Sequence, residues 1–588
     1  MSQAPLANGK MAPKPVLAAA LAHFRTAFTA IGLISGAINI LALTGSFFML
    51  QVYDRVLPSR SIPTLLALAL LAGTLFLFQG ILELIRSRLL GRIGLALDRR
   101  LSGQVYSALL LAPLRARSSG DGLQPLRDLD QVRSFMSSVG PTALFDLPWV
   151  PLYLAICFLF HFWIGVAALA GAILLCGLTL LTELRTREPT RLAGNHAASR
   201  NAFAEASRRN AEVVHAMGFG ERIAERWSAI NREYLDAQAR ASDVTGALGT
   251  ASRVLRLALQ SGVLGIGAYL VIHQEASGGI MIAGSIILSR ALAPIELSIA
   301  HWKGFVSARQ SWGRLKSLLA AFPANEVSVA LPQPGSALTV DGISVTPPGE
   351  RRLVVHDISF MLTKGAGLAI IGPSASGKSS LARALAGVWQ PAAGHVRLDG
   401  ASLDQWDPAE RGKHVGYLPQ DVQLFDGTIA ENIARFETNP PARKIIDAAK
   451  AAGVHGLIVG MREGYDTRVG ESGSALSSGQ RQRIALARAL YDNPFLVVLD
   501  EPNSNLDADG EAALTEAIKG IRTRGGIAVV VAHRPSALAA LDQILVLANG
   551  RAQAFGAKDE VMGAMSRPKT GHAPPLKIVP STEAAGAS

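Results

Sequence analysis

The longest run without a charged residue constrains this chain most. It extends from Leu147 to Thr182 and covers 36 residues. A helix needs about 20 mainly apolar residues to cross the hydrocarbon core of a membrane. The run is therefore long enough for two spans, and it predicts a helical hairpin that turns near His161–Trp163. We expect a membrane protein.

Four further apolar segments bring the predicted number of spans to six. Residues 26–53 and 61–82 are uncharged over 28 and 22 positions, Leu257–Gln274 over 18, and Ala276–Ser289 over 14. The composition agrees, since mean hydropathy is +0.28 and 17% of residues are charged, against about 25% in soluble proteins. This composition excludes a disordered chain and argues against a purely soluble enzyme.

The distribution of positive charge predicts the orientation in the membrane. The formal net charge is +12, and arginines are concentrated between Glu83 and Pro141 and between Glu183 and Arg256. Cytoplasmic segments of membrane proteins carry the excess of Lys and Arg. Both arginine-rich segments and, with six spans, both termini are therefore predicted to be cytoplasmic. No aromatic residues are interleaved with the arginines in a way that indicates nucleic-acid binding.

The composition changes near residue 322. Phe322–Ala337 contains three prolines and is typical of a linker. The continuous apolar runs beyond it indicate parallel strands buried on both faces; they are Gly367–Ile371, Phe495–Leu499 and Ile527–Val531. The predicted organisation is a cytoplasmic or interfacial segment over 1–25, a six-helix membrane domain over 26–321, a linker over 322–336, an α/β domain over 337–565 and a disordered tail over 566–588.

A glycine-rich loop follows the first of these strands. Residues 372–379 read GPSASGKS and fit the pattern G-x-x-x-x-G-K-[ST], with a helix predicted from about Ser379. Backbone N–H groups and a helix N-terminus attract phosphate in this context. Lys378 is expected to reach the β- and γ-phosphate oxygens, and Ser379 to offer its hydroxyl to Mg²⁺. The predicted nucleotide contacts are Gly372, Pro373, Ser374, Ala375, Ser376, Gly377, Lys378, Ser379 and Ser380.

Two acidic residues follow the strand Phe495–Leu499. Asp500 stands at the end of a buried strand, where it is well placed to hold Mg²⁺ through water. Glu501 comes next and is predicted to take a proton from an attacking water. The pair therefore predicts nucleotide hydrolysis and not binding alone.

Residues 476–480, between these elements, read LSSGQ. They resemble the LSGGQ signature of ATP-binding-cassette (ABC) transporters, with Ser478 in place of a glycine. Gln420 resembles the Q-loop glutamine, residues 504–507 resemble the D-loop with Asn505 in place of alanine, and His533 resembles the switch histidine. Residues 467–473, TRVGESG, resemble the X-loop of ABC exporters. The resemblance implies catalytic roles for Glu501, His533 and Gln420, and a metal site formed by Ser379, Gln420 and Asp500.

The resemblance also implies the fold and the assembly. The expected fold is an all-α six-helix domain of the type I ABC exporter kind fused to an α/β phosphate-loop cassette that binds ATP and Mg²⁺. One cassette per chain implies a homodimer in which Ser477 and Gly479 serve the partner's nucleotide, and Gln480 and Asp507 complete the predicted contacts. The family's adenine-stacking aromatic residue is replaced in the stretch Ser344–Gly349, which holds two prolines.

Three stretches of the membrane half resemble a narrower group, the type I secretion ATPases. They are Leu43–Pro58, Phe145–Tyr153 and Gly284–Glu296. The expected branch is protease/lipase export, because no N-terminal peptidase-like domain is expected. The resemblance implies a multi-pass protein of the bacterial inner membrane that exports an unfolded protein with a C-terminal secretion signal. The implied partners are a periplasmic adaptor, an outer-membrane channel, the secreted protein and membrane lipid.

Two points stay open at this stage. An ABC exporter of lipids or small amphiphiles is the alternative function; a soluble ABC ATPase acting on DNA or ribosomes is opposed by the spans. Three charges near the membrane also have two interpretations each. Arg290 and Glu296, which 100° per residue puts 240° apart on a helix, either line a translocation path or mark the cytoplasmic end of the sixth span. Asp146 either has a function or only caps the third span.

Overall fold

The structure, a computed structural model, describes residues 24–116, 122–322, 331–532 and 538–566. These residues form two units that divide near residue 324. The described part of the N-terminal unit is helical. Its helices are α1 (Arg25–Leu41), α2 (Thr44–Gln51), α3 (Leu57–Ser59), α4 (Ile62–Arg115), α5 (Gln124–Met136), α6 (Gly140–Asp146), α7 (Val150–Phe160), α8 (Phe162–Arg209), α9 (Ala211–Ala216), α10 (Gly220–Ile272), α11 (Gly278–Ala300) and α12 (Trp302–Ala321).

Six segments of the described residues are long and apolar enough to cross a membrane, as predicted. The hairpin turns at His161, whose extended backbone separates α7 from α8 and whose Nδ1 accepts a hydrogen bond from the Trp163 amide at 3.3 Å. The first span is interrupted by a π-helical turn, Val52–Val56, between α2 and α3. We therefore treat the unit as a six-span membrane domain.

The arginine-rich segments continue the spanning helices. α4, α8 and α10 have 54, 48 and 53 residues, or about 70–80 Å each at 1.5 Å per residue, against a hydrocarbon core of about 30 Å. The apolar end of each helix accounts for the predicted span, and the arginine-rich part extends well beyond it. The arginines therefore show where the apolar surface of each helix ends, but the helix itself continues beyond that point.

The C-terminal unit contains two sheets. Its strands are β1 (Ala337–Val345), β2 (Val355–Thr363), β3 (Gly367–Ile371), β4 (Ala393–Leu398), β5 (Ala401–Ser402), β6 (Val415–Leu418), β7 (Leu496–Asp500), β8 (Ile527–Val531), β9 (Gln543–Ala548) and β10 (Arg551–Ala557). The larger sheet has the order β10-β9-β3-β8-β7-β6, parallel except for β10. The smaller sheet, β2-β1-β4-β5, is antiparallel, and the sequence analysis did not predict it.

Helices of the C-terminal unit cover both faces of the parallel sheet. They are α13 (Lys378–Leu385), α14 (Pro408–His414), α15 (Ile429–Ile433), α16 (Ala442–Ala451), α17 (His455–Val459), α18 (Ser478–Leu490), α19 (Ala508–Thr523) and α20 (Lys558–Ser566). All five residues of β7 are buried and alternate between two cores. Leu496 and Val498 share a core with Leu381 of α13, and Val497 and Leu499 share the other with Ile484 of α18. The sheet thus lies between α13 and α18.

Candidate nucleotide-binding site

The loop between β3 and α13 has a backbone that requires glycine at two positions. Gly372 and Gly377 have φ of 152° and 96°. A Cβ atom would lie 2.0 Å from the Leu547 carbonyl oxygen at the first position and 2.7 Å from that of Val354 at the second. These contacts fix the loop against neighbouring backbone. Pro373, Ser374 and Ala375 form its exposed crest, and Ser380 is half-buried in α13.

Lys378 lies under this loop. Its Nζ donates hydrogen bonds to the carbonyl oxygens of Gly372 at 3.0 Å and Pro373 at 2.8 Å, and the residue is 5% exposed. Burial lowers the pKa of Lys378, and the nearby carboxylates of Glu501 and Asp500 oppose that shift. The ammonium group is therefore held beneath the loop that the sequence predicted to bind phosphate.

The neighbouring oxygens suit a hard cation. Ser379 Oγ donates a hydrogen bond to Asp500 Oδ1 at 3.0 Å. Asp500 Oδ2 and Ser376 Oγ are buried without a hydrogen-bond partner in the described residues. Burial raises the pKa of Asp500, against the hydrogen bond from Ser379 and the charge of Arg383. Hydroxyl and carboxylate oxygens are the ligands that Mg²⁺ prefers, so these residues fit the predicted metal and phosphate.

Glu501 and Gln420 meet at the same edge of the sheet. Gln420 follows β6, and its Nε2 donates a hydrogen bond to Glu501 Oε2 at 3.1 Å. Glu501 has φ of 51°, and its amide donates to the Val531 carbonyl of β8 at 3.2 Å. Because β6, β7, β8 and β3 are parallel neighbours, the residues after their carboxyl ends converge. His533 follows β8 but lies outside the described residues.

The predicted signature residues stand at the start of α18. Ser477 Oγ accepts a hydrogen bond from the Gln480 amide at 3.3 Å, and the Ser477 amide donates to Gln480 Oε1 at 2.9 Å, which forms a capping box. Gly479 lies against the D-loop, since a Cβ atom there would be 3.0 Å from the Asn505 carbonyl oxygen. Ser477 and Ser478 are exposed. A helix N-terminus of this kind can receive an anion.

Asp507 is used within its own chain. Its Oδ1 accepts a hydrogen bond from the Gly510 amide at 2.9 Å, which caps α19, and contacts the guanidinium of Arg483. In the part of the chain that is described, no hydrogen bond or ion pair joins Ser477, Gly479, Gln480 or Asp507 to the phosphate loop. The structure therefore places the predicted site residues in two groups.

Gln482 is a site residue that the sequence analysis missed. It is 3% exposed, its Nε2 contacts the Pro502 carbonyl oxygen, and its Oε1 accepts from the Asn505 amide at 3.1 Å. It thereby fixes the D-loop after Glu501 to the signature helix α18. A polar residue on the apolar face of α18 was the available signal, because buried polar groups need hydrogen-bond partners.

The stretch expected to replace the adenine-stacking aromatic residue forms a turn after β1. The Glu350 amide donates to the Pro347 carbonyl oxygen at 3.0 Å, and Gly349 has φ of 74°. Pro347 and Pro348 are half-buried there. The two prolines in the stretch where the family has an aromatic residue are thus part of an ordered turn.

Asp146 belongs to a polar cluster within the membrane domain. Its Oδ1 accepts hydrogen bonds from Arg86 Nη1 at 2.8 Å and from Asn39 Nδ2 at 2.9 Å. Tyr153 Oη donates to the Asn39 carbonyl at 2.7 Å, and Trp149 packs against Gly36. The interpretation of Asp146 as a helix cap is wrong, because its side chain makes no capping hydrogen bond. The Asp146 carboxylate instead joins the first, second and third spans.

Arg290 and Glu296 differ in their surroundings. Glu296 on α11 accepts a hydrogen bond from Arg256 Nε of α10 at 2.5 Å. Arg290 is exposed on the sixth span of this chain, and every other residue of α11 except Ala300 is buried or half-buried. The two side chains mark opposite edges of the partly exposed stripe of α11, consistent with their predicted separation. Glu296 is paired with Arg256 of the fifth span, whereas no hydrogen bond or ion pair to Arg290 is found among the described residues.

Comparisons with known proteins agree with this architecture. The family model for the ABC transporter transmembrane region matches residues 28–292, and the ABC transporter model matches residues 355–504. A structure of a bacterial Atm1-family ABC exporter with ATP bound has a TM-score of 0.79 and 25% identity, and the match covers 92% of this chain and 97% of that chain. Fold and site together define an ABC exporter, which confirms the predicted fold class.

Two relatives show to which group of ABC exporters the chain is similar. The type I secretion system ATP-binding protein PrsD of Rhizobium meliloti is 58% identical over 552 residues, 94% of this chain and 95% of that protein. The exotoxin translocation ATP-binding protein PaxB of Pasteurella aerogenes is 28% identical over 92% of this chain and 77% of that protein. The chain belongs to the type I secretion ATP-binding proteins of the ABC transporter family. The resemblance predicted from sequence is confirmed, and protein export is favoured over the lipid alternative.

Proposed function

We propose that this protein is the inner-membrane ATPase and permease of a type I secretion system and exports an unfolded polypeptide with a C-terminal signal. One observation carries the proposal: a relative named for type I secretion is 58% identical over 94% of the chain. Six candidate spans and a phosphate-loop cassette in one chain supply the permease and the motor. A periplasmic adaptor and an outer-membrane channel would continue the path, and the cassette and both termini would be cytoplasmic.

The geometry supports the following roles for the proposed catalytic side chains. Lys378 lies beneath the loop and would turn to the β- and γ-phosphates. Ser379 and Asp500 would hold Mg²⁺, which supplies positive charge against the phosphates when bound. Glu501 would accept the proton of the attacking water, with Gln420 holding its carboxylate at 3.1 Å. His533 lies outside the described residues, and its role as the switch histidine rests on the sequence resemblance alone.

A homodimer would complete each site. The phosphate loop and the exposed start of α18 form separate groups in one chain, and each offers backbone N–H groups to an anion. Ser477 and Gly479 of one protomer would therefore face the ATP held by the phosphate loop of its partner. ATP would then close two cassettes together, and hydrolysis would release them.

Arg290 supports a polar path through the membrane domain. An exposed charge within a spanning helix is costly in lipid and usually faces protein or water. A polypeptide in extended form carries its backbone polar groups through the membrane and needs such surroundings. A sealed apolar pocket for one small ligand would not need Arg290.

The test uses the full chain in liposomes and measures ATP hydrolysis with added substrates. A polypeptide carrying its own C-terminal signal should stimulate hydrolysis, and the same polypeptide without that signal is the matched control. Stimulation by lipids or small amphiphiles, with no response to any signal-bearing polypeptide, would establish the alternative function instead.

A further inference from the structure

The C-terminal end of the signature helix α18 is contacted by one half-buried arginine, Arg435. Arg435 Nε donates a hydrogen bond to the Arg488 carbonyl oxygen at 3.0 Å, and Nη2 donates to that of Ala489 at 3.2 Å. Nη2 also reaches the Tyr491 carbonyl at 3.5 Å, and Nη1 contacts that of Gly412 in the last turn of α14. One guanidinium thus satisfies carbonyl groups that a helix end leaves unpaired.

The charge of Arg435 is balanced by the helix end. Each hydrogen bond described for its guanidinium goes to a backbone carbonyl and none to a carboxylate. The C-terminus of a helix carries about half a negative charge, which favours a cation there. β6 also approaches closely, since a Cβ atom at Gly416 would lie 2.1 Å from the Ala489 carbonyl oxygen.

The backbone around Arg435 is shaped for this contact. Arg435 and Phe436 both have positive φ, 55° and 58°, a conformation that side chains other than glycine seldom adopt. Two residues that follow Arg435 in the sequence also contact the chain at the end of α18. Tyr491 Oη donates to Glu437 Oε2 at 2.7 Å, and Lys444 Nζ contacts Asp492 Oδ1 at 2.7 Å. Strain at two successive residues indicates that the surrounding structure holds them in place.

The stretch of chain that ends at Arg435 begins at the edge of the sheet where Gln420 contacts Glu501. Gln420, which contacts Glu501, precedes Arg435 by 15 residues. Between them, the Gln423 carbonyl oxygen accepts a hydrogen bond from Arg488 Nη1 of α18 at 3.1 Å. The C-terminal end of α18 is thus attached to residues 420–435, here called the Gln420 segment, and the N-terminal end of α18 carries Ser477 and Gly479.

We infer that Arg435 is a positioning residue for the signature: it fixes α18 to the Gln420 segment, so that Ser477 and Gly479 are correctly aimed at the nucleotide of the partner cassette. The inference rests on the proposed composite site. Arg435 contacts no nucleotide-binding residue of its own phosphate loop in the described structure. Its loss should therefore damage hydrolysis in the opposite site of the dimer.

Mixed dimers of the full chain in liposomes separate the two sites. In the cis arrangement, one protomer carries Arg435→Lys and Lys378→Ala and its partner is unchanged. The only working phosphate loop then faces the altered signature helix. In the trans arrangement, the two substitutions are in different protomers, and the working phosphate loop faces an unaltered signature. Lysine keeps the charge but loses the planar fork of donors.

The expected result is a difference between arrangements of identical composition. ATP hydrolysis in the cis dimer should be about ten- to a hundredfold below the trans dimer, the range for a misplaced catalytic group. The trans dimer should equal a dimer with Lys378→Ala in one protomer. The change should lie in kcat, with ATP binding by the working phosphate loop unaltered. A general loss of stability would lower both arrangements equally.

Two controls make the result specific. Arg524→Lys replaces another arginine that donates to backbone carbonyls, those of Asn493 and Pro494 just beyond the end of α18. Its described hydrogen bonds include none to α18 itself, so it should give equal cis and trans rates. A second set of cis and trans dimers carries Ser477→Arg instead of Arg435→Lys, and it tests the composite site itself. If Arg435→Lys fails to fold, Arg435→Gln provides a smaller donor in the same arrangements.

The outcomes are distinguishable. A cis–trans difference for both Ser477→Arg and Arg435→Lys supports the inference. A difference for Ser477→Arg with equal rates for Arg435→Lys overturns the role of Arg435 and leaves the composite site standing. Equal rates for both sets contradict the composite site and, with it, the inference.

Discussion

At the scale of single residues, the charges around the phosphate loop are buried and incompletely paired. Asp500 Oδ2 lacks a partner in the described residues, and Lys378 is bonded only to carbonyl oxygens of its own loop. Buried polar groups normally have partners, so these groups fit the proposed binding of ATP with Mg²⁺. Sequence analysis could identify these residues because their chemistry depends on a short contiguous pattern.

Substitution of Glu501 should separate ATP binding from hydrolysis. Glu501→Gln retains the shape of the side chain but removes the base, so the hydrolysis rate should fall by about 10²–10⁴-fold while ATP still binds. Lys378→Ala should instead weaken ATP binding, because a charge facing the phosphates is lost. Hydrolysis rates and equilibrium binding of a fluorescent ATP analogue check both. Near-normal hydrolysis by Glu501→Gln would refute its assignment as the base.

The carboxylate of Asp399 should contribute to the stability of the cassette in a pH-dependent way. This carboxylate accepts hydrogen bonds from the amides of Gly335 at 2.8 Å and Ala337 at 2.7 Å, and from that of Ser336. Burial raises the pKa of Asp399, but these bonds outweigh it, and the pKa is lowered overall from 3.8. Stability from this group is therefore present above the unfolded-state pKa and lost as pH falls through the folded-state pKa.

Asp399→Asn should lower the free energy of unfolding at neutral pH by at most about 1 kcal/mol, because Asp399 is exposed and water screens its interactions. The corresponding fall in Tm is at most about 2–4 °C for a domain of this size. The difference from the unchanged protein should shrink as pH falls below about 4. Thermal unfolding at several pH values measures this difference in Tm between Asp399→Asn and the unchanged protein. A difference that stays constant over this range would show that the ionised carboxylate is not responsible.

At the scale of elements, sequence patterns located the spans and the buried strands but not all of their extent. The apolar run at 147–182 predicted the hairpin at His161, and uniform hydrophobicity predicted β3, β7 and β8. The antiparallel sheet was not predicted because β1 pairs with β4, a strand far away in the sequence, and no local pattern specifies such a pairing. The arginine-rich ends of α4, α8 and α10 lacked an apolar signal.

The cluster at Asp146 joins elements that are far apart in sequence. Arg86 and Asp146 have side chains only 11% and 14% exposed, and they connect the second and third spans. No sequence spacing links residues 39, 86 and 146, so this contact could not be predicted. Its geometry explains why the stretch 145–153 contains Asp146, Trp149 and Tyr153, which contact one face of α1.

Removal of one partner from this pair should be costly. Asp146→Ala leaves the Arg86 guanidinium buried, and breaking a buried pair costs about 3–5 kcal/mol in soluble proteins. We expect a large fall in Tm, partly restored in the double variant Arg86→Met/Asp146→Ala. Glu188→Ala, which breaks the exposed pair with Arg191, is the matched control and should change Tm little. Equal effects of Asp146→Ala and Glu188→Ala would contradict a structural role for the buried pair.

At the scale of the whole molecule, the chain combines a six-span domain and one cassette. The family relationship connects this arrangement with type I secretion, whereas no property of the cassette specifies what is transported. The cassette chemistry would be the same for a lipid exporter. Substrate class therefore depends on the membrane half, where the relatives and the exposed Arg290 favour a polypeptide.

The most direct measurement is export by the assembled system. The full chain is reconstituted with the proposed adaptor, the proposed outer channel and a protein bearing its own C-terminal signal, and the protein that crosses is quantified in the presence of ATP. We predict export that requires the C-terminal signal, stops with Glu501→Gln, and stops when the protein is first folded into a tight domain. Export independent of ATP or of the C-terminus, or transport of lipid with no movement of the protein, would contradict the account.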